Sequence, residues 1–423
     1  MALNKKSLLN KIAIEIFKQI LLLLPIIAVT VVLPSYSESF TTKRAGQGFT
    51  GLTQDFTSSL SNPALLTTFD NNDKLFFSLN VAIMAADKYH VVDTAIDISK
   101  NLDVFADDIL AIPTQNLQST DQVKNYYDEL LQQVDHIITD LKKIDKKVVK
   151  VRNGLNLQIL IPNQHLNFGL FTNQYGRIGG VMNYSEDDEK ILDDAISSGN
   201  IDLDDLQSKT TVDGYSIAEA GLMAAYPTIT HVSYDLSVGA KLKYQRIDLY
   251  FNSVKINAFD GNDFEITDDE NITNKSGANV DLGLYINWGD ERQWHAALVT
   301  NNLIKQTVLH VEQDVTFTLE KNTSLGLSFQ NSWVSLAIEI DLTDREQFAS
   351  LKPSKYVGVG AEFRFYKNIQ FRLGYRTDLN GIDDDIYTAG IGISPWDVLA
   401  VDIAAFTGNN DTIGAALQLS MKI

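Results

Sequence analysis

The sequence predicts an all-β transmembrane barrel of about fourteen antiparallel strands, within a range of twelve to sixteen, with an inserted helical hairpin near the N-terminus. Three observations lead to this fold class. Extended segments alternate apolar and polar residues through most of the chain. The clearest of them run for about nine to eleven residues, the length that crosses a bilayer at a tilt. Aromatic residues gather at the ends of these segments, as in the interfacial girdles of membrane barrels: Tyr234, Tyr244, Trp288, Trp294, Trp333, Tyr356, Tyr375, Trp396 and Phe406.

Composition and charge narrow the classes of function. The 423 residues carry a net charge of −19, which argues against a nucleic-acid partner because phosphate backbones are bound by clustered lysine and arginine. The mean hydropathy of −0.07 is too low for a bundle of membrane helices, each of which needs about 20 consecutive apolar residues. The sequence contains no cysteine, so disulfides and thiolate metal sites are excluded.

The N-terminal residues 1–37 predict a signal peptide. Four lysines accompany the start of an apolar segment that continues over residues 20–33. Small residues follow at Ser35 and Ser37, and we expect a signal peptidase to cleave after Ser37. The alternative is a membrane anchor that stays attached, because the segment is long for a signal peptide. Together with the barrel pattern, export predicts location in a bacterial outer membrane.

Period-two alternation marks the strands. A first strand is predicted over residues 74–84, and the same period returns at about residue 151 and continues to Ile423. Charged residues keep to one face in five segments: 234–244, 280–288, 357–366, 369–376 and 413–423. A soluble two-sheet sandwich alternates similarly, but its strands are usually shorter. Short and long loops also alternate, and a last strand that pairs with the first would close the sheet, as a membrane barrel requires.

Two inserts interrupt the strands with helical periodicity. At about 92–150, apolar residues recur at spacings of three and four in two stripes, and Ser119 with Gln122 predicts a capping box. The stripes either cover each other in an antiparallel hairpin or dock an envelope protein partner. A shorter acidic insert with helical character lies at about 185–208. The mature chain is thus an irregular segment at 38–73, followed by a barrel at 74–423 that carries both inserts.

The irregular segment contains a glycine-rich motif. Gly46, Gly48 and Gly51 match the pattern G-x-G-x-x-G, but the strand and helix that a dinucleotide site needs do not surround them. We interpret the motif as a place where backbone passes close to other backbone. Asn62 and Pro63 follow, within Asn-Pro-Ala-Leu.

These residues carry a resemblance to a known family. The stretch 44–51, then Ser-Asn-Pro-Ala-Leu-Leu at 61–66 and a first strand, resembles the start of the conjugal-transfer TraF-like outer-membrane family. The same opening is shared loosely with FadL-type transporters, which are fourteen-stranded barrels with an N-terminal plug. The resemblance implies that residues 38–73 lie inside or beneath the barrel. Such barrels usually end on Phe or Trp, whereas this chain ends on Ile423, so we expect a weakened assembly signal on the same fold.

Charged residues on the polar strand faces are the candidate lumen residues. They are Lys241, Lys243, Asp281, Glu339, Glu362, Arg364, Arg372 and Arg376. Charges of both signs suit a selective pore or passage. They equally suit ion pairs that stiffen a filled barrel. The sequence leaves both interpretations open.

Motifs for catalysis or metal binding are absent from the sequence. The six histidines form no H-E-x-x-H pair, and there is no nucleophile elbow or phosphate loop, so we expect no catalytic residue, metal or cofactor. Acidic runs at 260–265 and 383–385 predict solvated outer loops, since the first lacks the ligand pattern of an EF-hand. We expect a pore, transporter or envelope component of TraF-like type. The alternatives are a FadL-like carrier of hydrophobic small molecules and a barrel hydrolase. Expected partners are outer-membrane lipid, lipopolysaccharide and the barrel assembly machinery.

Overall fold

The extended segments close into one barrel. The computed structural model describes residues 41–423 except 71–72, 88, 112–118, 164–165, 259–271, 311–313, 346–347, 366–367, 396–397 and 410. The predicted signal peptide, the acidic run at 260–265 and Trp396 lie outside the described residues. The strands are β1 (Phe76–Ala86), β2 (Val148–Ile161), β3 (Asn167–Asn183), β4 (Lys209–Thr230), β5 (Tyr234–Lys255), β6 (Ile272–Trp288), β7 (Trp294–Asn301), β8 (Gln306–His310), β9 (Val315–Leu319), β10 (Asn322–Gln330), β11 (Val334–Asp341), β12 (Tyr356–Phe365), β13 (Ile369–Asp378), β14 (Ile386–Ile393), β15 (Leu399–Gly408) and β16 (Thr412–Lys422).

Fourteen of these strands form the barrel wall, and the predicted fold class is confirmed. Each strand pairs antiparallel with its neighbour along the chain, except that β7 pairs with β10 and the β8–β9 hairpin stands apart. The wall closes where β1 pairs with β16, with Leu79 opposite Leu419. Closure leaves no wall strand with an unpaired edge, which is the condition for a sheet surrounded by lipid.

The alternation in the sequence becomes an inside and an outside. On β5, Lys241 and Lys243 are buried in the lumen, while Leu242 and Tyr244 are exposed on the outer surface. Most strands repeat this arrangement, so an apolar belt surrounds the barrel. Because the side-chain period is two, a shift of one residue in pairing would turn the charged residues outward. The polar faces therefore specify the register.

The two ends of the barrel differ in their connections. At the short-turn end, six connections of three to five residues join neighbouring strands: 162–166, 231–233, 289–293, 331–333, 366–368 and 394–398. The opposite end, which we call the long-loop end, carries the inserts and the β8–β9 hairpin. There β4 and β5 run for 22 residues each, twice the predicted strand length. Their far halves extend beyond Tyr244, one of the predicted girdle residues.

The helices of the inserts pack on each other at the long-loop end. They are α2 (Val91–Ala111), α3 (Thr120–Ile144) and α4 (Asp187–Ser198), after a short α1 (Thr42–Gly46) near the start of the described chain. The predicted capping box of Ser119 and Gln122 is present at the start of α3. The apolar stripes form one buried cluster with residues that include Met182 and Ile256. Among the described residues, no helix combines the length and the apolarity that crossing a membrane requires.

Candidate functional site: the plugged lumen

Residues 41–70, which we call the plug, fill the lumen. The plug begins with α1 and continues through two 3-10 turns, Phe56–Ser58 and Pro63–Thr68. Asn62 caps the second turn, because its side chain accepts a hydrogen bond from the Ala64 amide. Most plug residues are buried, although many are polar. Polar groups buried this way need hydrogen-bond partners, and the barrel wall supplies them.

Among the described residues, hydrogen bonds fasten the plug to at least seven of the fourteen wall strands. The wall residues that bond to it are Asn80 on β1, Gln158 on β2, Ser237 and Lys241 on β5, Leu284 on β6, Gln330 on β10, Glu339 on β11 and Thr388 on β14. Each such bond contributes about 0.5–1.5 kcal/mol. The bonds are distributed around the circumference, so the plug is held from all sides.

The glycine motif passes close to the wall backbone. A Cβ atom on Gly46 would lie 3.1 Å from the Cα atom of Gly390 on β14. Gly48 has a φ of +63°, and a Cβ atom there would collide with the carbonyl oxygen of Val359 and the backbone of Tyr375. The structure contains the close backbone approach that the motif predicts. On the wall side, glycines also occupy the points of contact: Gly358, Gly360 and Gly374.

The Asn-Pro pair makes a second close approach. A Cβ atom on Gly239 of β5 would collide with Pro63 and Ala64, and one on Gly283 of β6 would collide with the Asn62 side chain. The Asn62 amide donates to the carbonyl oxygens of Leu52 (3.0 Å) and Leu284 (3.2 Å). The motif residues therefore position the plug, and we assign them no chemistry.

One ion pair joins the plug to the wall in the interior. The Arg44 guanidinium contacts the Glu339 carboxylate, and both side chains are buried. The other carboxylate oxygen of Glu339 accepts from the backbone amides of Gly51 (3.0 Å) and Leu52 (3.3 Å). A buried carboxylate needs such compensation to stay charged. Glu339, predicted as a lumen residue, is thus a fastening point for the plug.

The predicted lumen residues on β5 and β6 form a second group of ion pairs. Lys241 and Lys243 lie 2.8 Å and 2.9 Å from the carboxylate oxygens of Asp281. Lys243 also lies 2.8 Å from Glu219 on β4, and Lys241 donates to the Leu60 carbonyl oxygen of the plug (2.7 Å). Every charge in this group has an opposite charge beside it. The arrangement is that of a filled interior.

The remaining predicted residues lie on β12 and β13. Arg372 is 2.7 Å from Glu362 and 2.7 Å from Asp402, and all three are buried. Arg364 is partly exposed; it lies 2.8 Å from Glu362 and donates to a carbonyl oxygen in the 331–333 turn at the short-turn end. Arg376 lies between two aromatic rings, its guanidinium 3.7 Å from the centre of Phe49 and 4.2 Å from that of Tyr356.

One small and one larger cavity lie beside these groups. The small one, of about 40 Å³, lies between Arg44, Lys243 and Glu339 and holds about two or three water molecules. The larger one, of about 350 Å³, lies between plug residues that include Lys43 and the wall residue Asp402. Among the described residues, the small cavity leaves no room for a solute larger than water at the level of the Arg44–Glu339 pair.

An apolar layer fills the lumen toward the long-loop end. The β8–β9 hairpin turns inward there, so that Phe317 is fully buried with its ring 4.6 Å from that of Tyr215 on β4. Phe348 contacts the other side, 6.2 Å from Phe317. The hairpin thus covers the plug from above, and the sequence pattern did not predict its inward turn.

Asp383 corrects one prediction. The acidic run 383–385 was predicted as a solvated loop, but the Asp383 side chain is buried and lies beside Lys150 (2.8 Å), Arg177 (2.9 Å) and Arg152. Burial acts to raise the pKa of Asp383, but the charges of Arg152, Arg177 and Lys150 outweigh it and hold the pKa well below its usual range. The three cations are far from Asp383 in the sequence, so no local pattern could reveal them.

Comparison with known proteins gives a family match and a shared fold. A family model described as F plasmid transfer operon, TraF, protein matches residues 59–341. No curated protein matches the chain. A solved structure of the TodX deltaS2S3 mutant, a monoaromatic hydrocarbon channel, is 11% identical with a TM-score of 0.51, over 92% of this chain and 100% of that one.

Two further solved structures are similar. The toluene transporter TbuX of Ralstonia pickettii is 10% identical with a TM-score of 0.49, over 91% of this chain and 97% of its own. A FadL homologue from Pseudomonas aeruginosa is 11% identical with a TM-score of 0.45, over 92% of this chain and 99% of its own. Of the three structures, the TodX variant is the one with a TM-score above 0.5, and at 11% identity what it shares with this chain is the barrel fold.

Proposed function

The chain belongs to the family described as F plasmid transfer operon TraF proteins, and from this premise we propose that it is a plugged outer-membrane barrel that passes a small solute when its plug moves. The observation that carries the proposal is a closed barrel with an apolar exterior, whose interior is occupied by a segment held through hydrogen bonds and one ion pair. A segment held by many individually weak contacts can be displaced. A wall of fourteen paired strands cannot rearrange as readily.

The two barrel ends support an orientation. Outer-membrane barrels have short periplasmic turns and longer outer loops. On this rule the short-turn end faces the periplasm, and the helices and the β8–β9 hairpin face outward. The proposed partners follow from the same placement: membrane lipid around the belt, lipopolysaccharide at the outer rim, and the barrel assembly machinery during insertion. We retain residues 1–37 as a signal peptide, which the N-terminal mass of the mature protein would test.

Conductance across planar bilayers tests the closed lumen. The full chain is reconstituted as wild type and as an Arg44→Ala/Glu339→Ala variant, which removes both charges of the pair together. We expect wild type to remain closed apart from rare openings. The variant should open at least about tenfold more often, because losing about 1.4 kcal/mol of plug binding changes the equilibrium by that factor.

A control uses an exposed ion pair on the helices of the inserts. Lys142 on α3 and Glu189 on α4 lie 3.0 Å apart, and both side chains are exposed. The Lys142→Ala/Glu189→Ala variant should conduct as wild type does. Steady, porin-like conductance by wild type would contradict the closed lumen, and equal behaviour of all three proteins would contradict the role of the Arg44–Glu339 pair.

A FadL-like carrier of hydrophobic small molecules is the second candidate. The apolar layer above the plug favours it, since Tyr215, Phe317 and Phe348 would line the route that a solute takes once the β8–β9 hairpin moves. Saturable uptake of toluene by vesicles containing the protein, with no uptake of glucose, would support this candidate. Uptake of glucose without uptake of toluene would exclude it.

We propose no catalytic activity. Within the described part of the chain, no group of histidine, aspartate and glutamate side chains could hold a metal ion, and the predicted lumen charges other than Arg376 are engaged in the ion pairs above. Hydrolysis of ester or peptide substrates by purified protein, abolished by one serine or histidine substitution, would overturn this view.

A further inference from the structure

A pocket lies at the mouth of the long-loop end, outside the plugged lumen. Its volume is about 360 Å³, and we call it the mouth pocket. The ends of β1 and β2 form one wall, and Ser350, Lys352 and the connection 379–385 form the other. The volume falls within the range of about 300–1,000 Å³ that is usual for sites of small molecules.

The mouth pocket is basic in an acidic protein. Its lining includes five cations, Lys146, Lys147, Lys150, Arg152 and Lys352, and two carboxylates, Asp383 and Asp384. Counted together with Asp145, which pairs with Lys146, these side chains carry a net charge of +2, whereas the whole chain carries −19. The mouth pocket is therefore positively charged although the protein as a whole is negatively charged.

The acidic side chains cancel only part of this charge. Asp383 forms ion pairs with Lys150 and Arg152 in the pocket and with Arg177 below it, so one carboxylate compensates three cations. Asp384 accepts a hydrogen bond from Thr412 (2.8 Å). The floor of the pocket therefore keeps an excess of positive charge, and buried excess charge attracts a counter-ion strongly.

Three of the five cations, Lys146, Lys147 and Lys352, lie at the rim of the pocket. The Lys147 ammonium lies 4.6 Å from the centre of the Tyr89 ring. The Lys146 ammonium lies 3.6 Å from Asp145 and is exposed. Lys352 is exposed on the opposite rim, and within the described parts of the chain no ion pair holds it. These ammonium groups are mobile donors that can turn toward a bound anion.

We propose that the mouth pocket binds a phosphate monoester. A phosphate monoester carries a charge of about −1.5 to −2 near pH 7, which suits a surplus of this size better than a carboxylate does. Lysine ammonium groups bind phosphate as point charges, and an arginine such as Arg152 adds directed donors. The group belongs either to a small phosphorylated solute or to the phosphorylated sugars of lipopolysaccharide. Binding here needs no opening of the lumen, so the inference goes beyond the proposed function.

Calorimetric titration of the full chain in detergent tests the proposal. The probe is glucose 6-phosphate, with glucose as the uncharged comparison. The Lys147→Gln/Lys352→Gln variant should bind glucose 6-phosphate at least about tenfold more weakly than wild type, because each lost charged hydrogen bond weakens binding severalfold. A matched variant, Lys124→Gln/Lys143→Gln, loses two exposed lysines of α3 outside the pocket and should bind as wild type does.

The outcomes separate the sources of the phosphate. Displacement of glucose 6-phosphate by phosphorylated lipid A, but not by its dephosphorylated form, would identify lipopolysaccharide as the source. Absence of displacement would identify a soluble ester, and both results support a phosphate site. A folded barrel should migrate differently on a detergent gel before and after boiling. If the double variant lacks this difference and so does not fold, Lys352→Gln alone should still weaken binding about threefold. Failure of wild type to bind, or equal binding by the two double variants, would overturn the proposal.

Discussion

Gly48 is the plug residue that leaves least room for a side chain. In Gly48→Ala, the left-handed backbone costs about 1–2 kcal/mol, and the new Cβ atom also collides with backbone on β12 and β13. We expect hydrogen exchange of the plug amides to show a loss of protection of at least about 2 kcal/mol.

Gly381 provides the matched control for this substitution. Its φ is +67°, but a Cβ atom there would meet nothing within 4 Å. Gly381→Ala should therefore destabilise its own loop only, by the free-energy cost of the left-handed backbone. The protection of the plug amides from hydrogen exchange should not change. Equal plug protection in the two variants would mean that close approach at Gly48 does not hold the plug.

Asp383 gives the barrel a dependence on pH. Its pKa is lower in the folded protein than in the unfolded chain, so its stabilising contribution is full above about pH 4 and is lost as the pH falls through the folded pKa. Asp383→Asn leaves Lys150, Arg152 and Arg177 without this counter-charge and should cost about 3–5 kcal/mol at pH 7. Urea unfolding at several pH values measures the difference.

The pH profile separates this effect from general damage. The difference between wild type and Asp383→Asn should stay constant from about pH 8 to 5 and shrink below about pH 4. Asp411→Asn, at an exposed carboxylate in another loop of the same barrel end, should change stability by less than about 0.5 kcal/mol throughout. A difference that persists unchanged at low pH would show that the loss is not electrostatic.

At the scale of elements, the β8–β9 hairpin tests whether the apolar layer closes the lumen. Phe317→Ala should weaken packing of the hairpin by about 3–5 kcal/mol, because the ring is fully buried. We expect hydrogen exchange in β8 and β9 to accelerate at least about a hundredfold, while the wall strands stay protected.

Leu309 lies on the same hairpin but is 47% exposed. Leu309→Ala keeps the hairpin sequence otherwise intact and should leave exchange nearly unchanged. If Leu309→Ala and Phe317→Ala accelerate exchange equally, the hairpin is not held by the apolar layer.

The helical insert shows a second consequence of packing between elements. The sequence left open whether its apolar stripes dock a partner or cover each other. In the structure most of these residues are buried in one cluster, which includes Leu102 and Phe105 of α2 and Leu130 of α3, whereas Val92 and Val123 are exposed. A partner at this end would therefore contact the outer helix faces, which are rich in acidic residues and also expose Val104, Leu110 and Leu131.

At the scale of the whole molecule, the outer belt should behave as a surface in lipid. Ile403 is 51% exposed near the middle of β15. On a soluble protein, arginine at such a position would cost little. At a bilayer midplane it costs about 2–4 kcal/mol, and we expect Ile403→Arg to lose that amount in unfolding from lipid vesicles.

Val232 serves as the control because it is 93% exposed in a turn at the short-turn end. Val232→Arg lies beyond the belt and should change stability by less than about 0.5 kcal/mol. Equal stability of the two variants would remove the membrane assignment, as would extraction of the protein without detergent.

Much of the architecture could be predicted because the spacing of apolar and polar residues within each segment indicates whether it is a strand or a helix. Alternation over β13 predicted its limits to within two residues, and the capping box at Ser119 predicted the start of α3. Strand length was less predictable. β4 and β5 continue past the apolar belt, and the two-residue alternation does not change where the belt ends. The alternation of charged and apolar residues along each strand predicted which side chains face the lumen. It did not predict which of these charged side chains form ion pairs with one another.

The sequence by itself determined the barrel, its inner and outer faces and its two helical inserts, because each follows from side-chain periods that a segment carries alone. Tertiary structure decided how the lumen is filled. Arg44 meets Glu339 across 295 residues, Asp383 meets cations on β2 and β3, and the β8–β9 hairpin turns inward onto β4. Such contacts depend on closure of the wall, which brings together positions that share no local pattern.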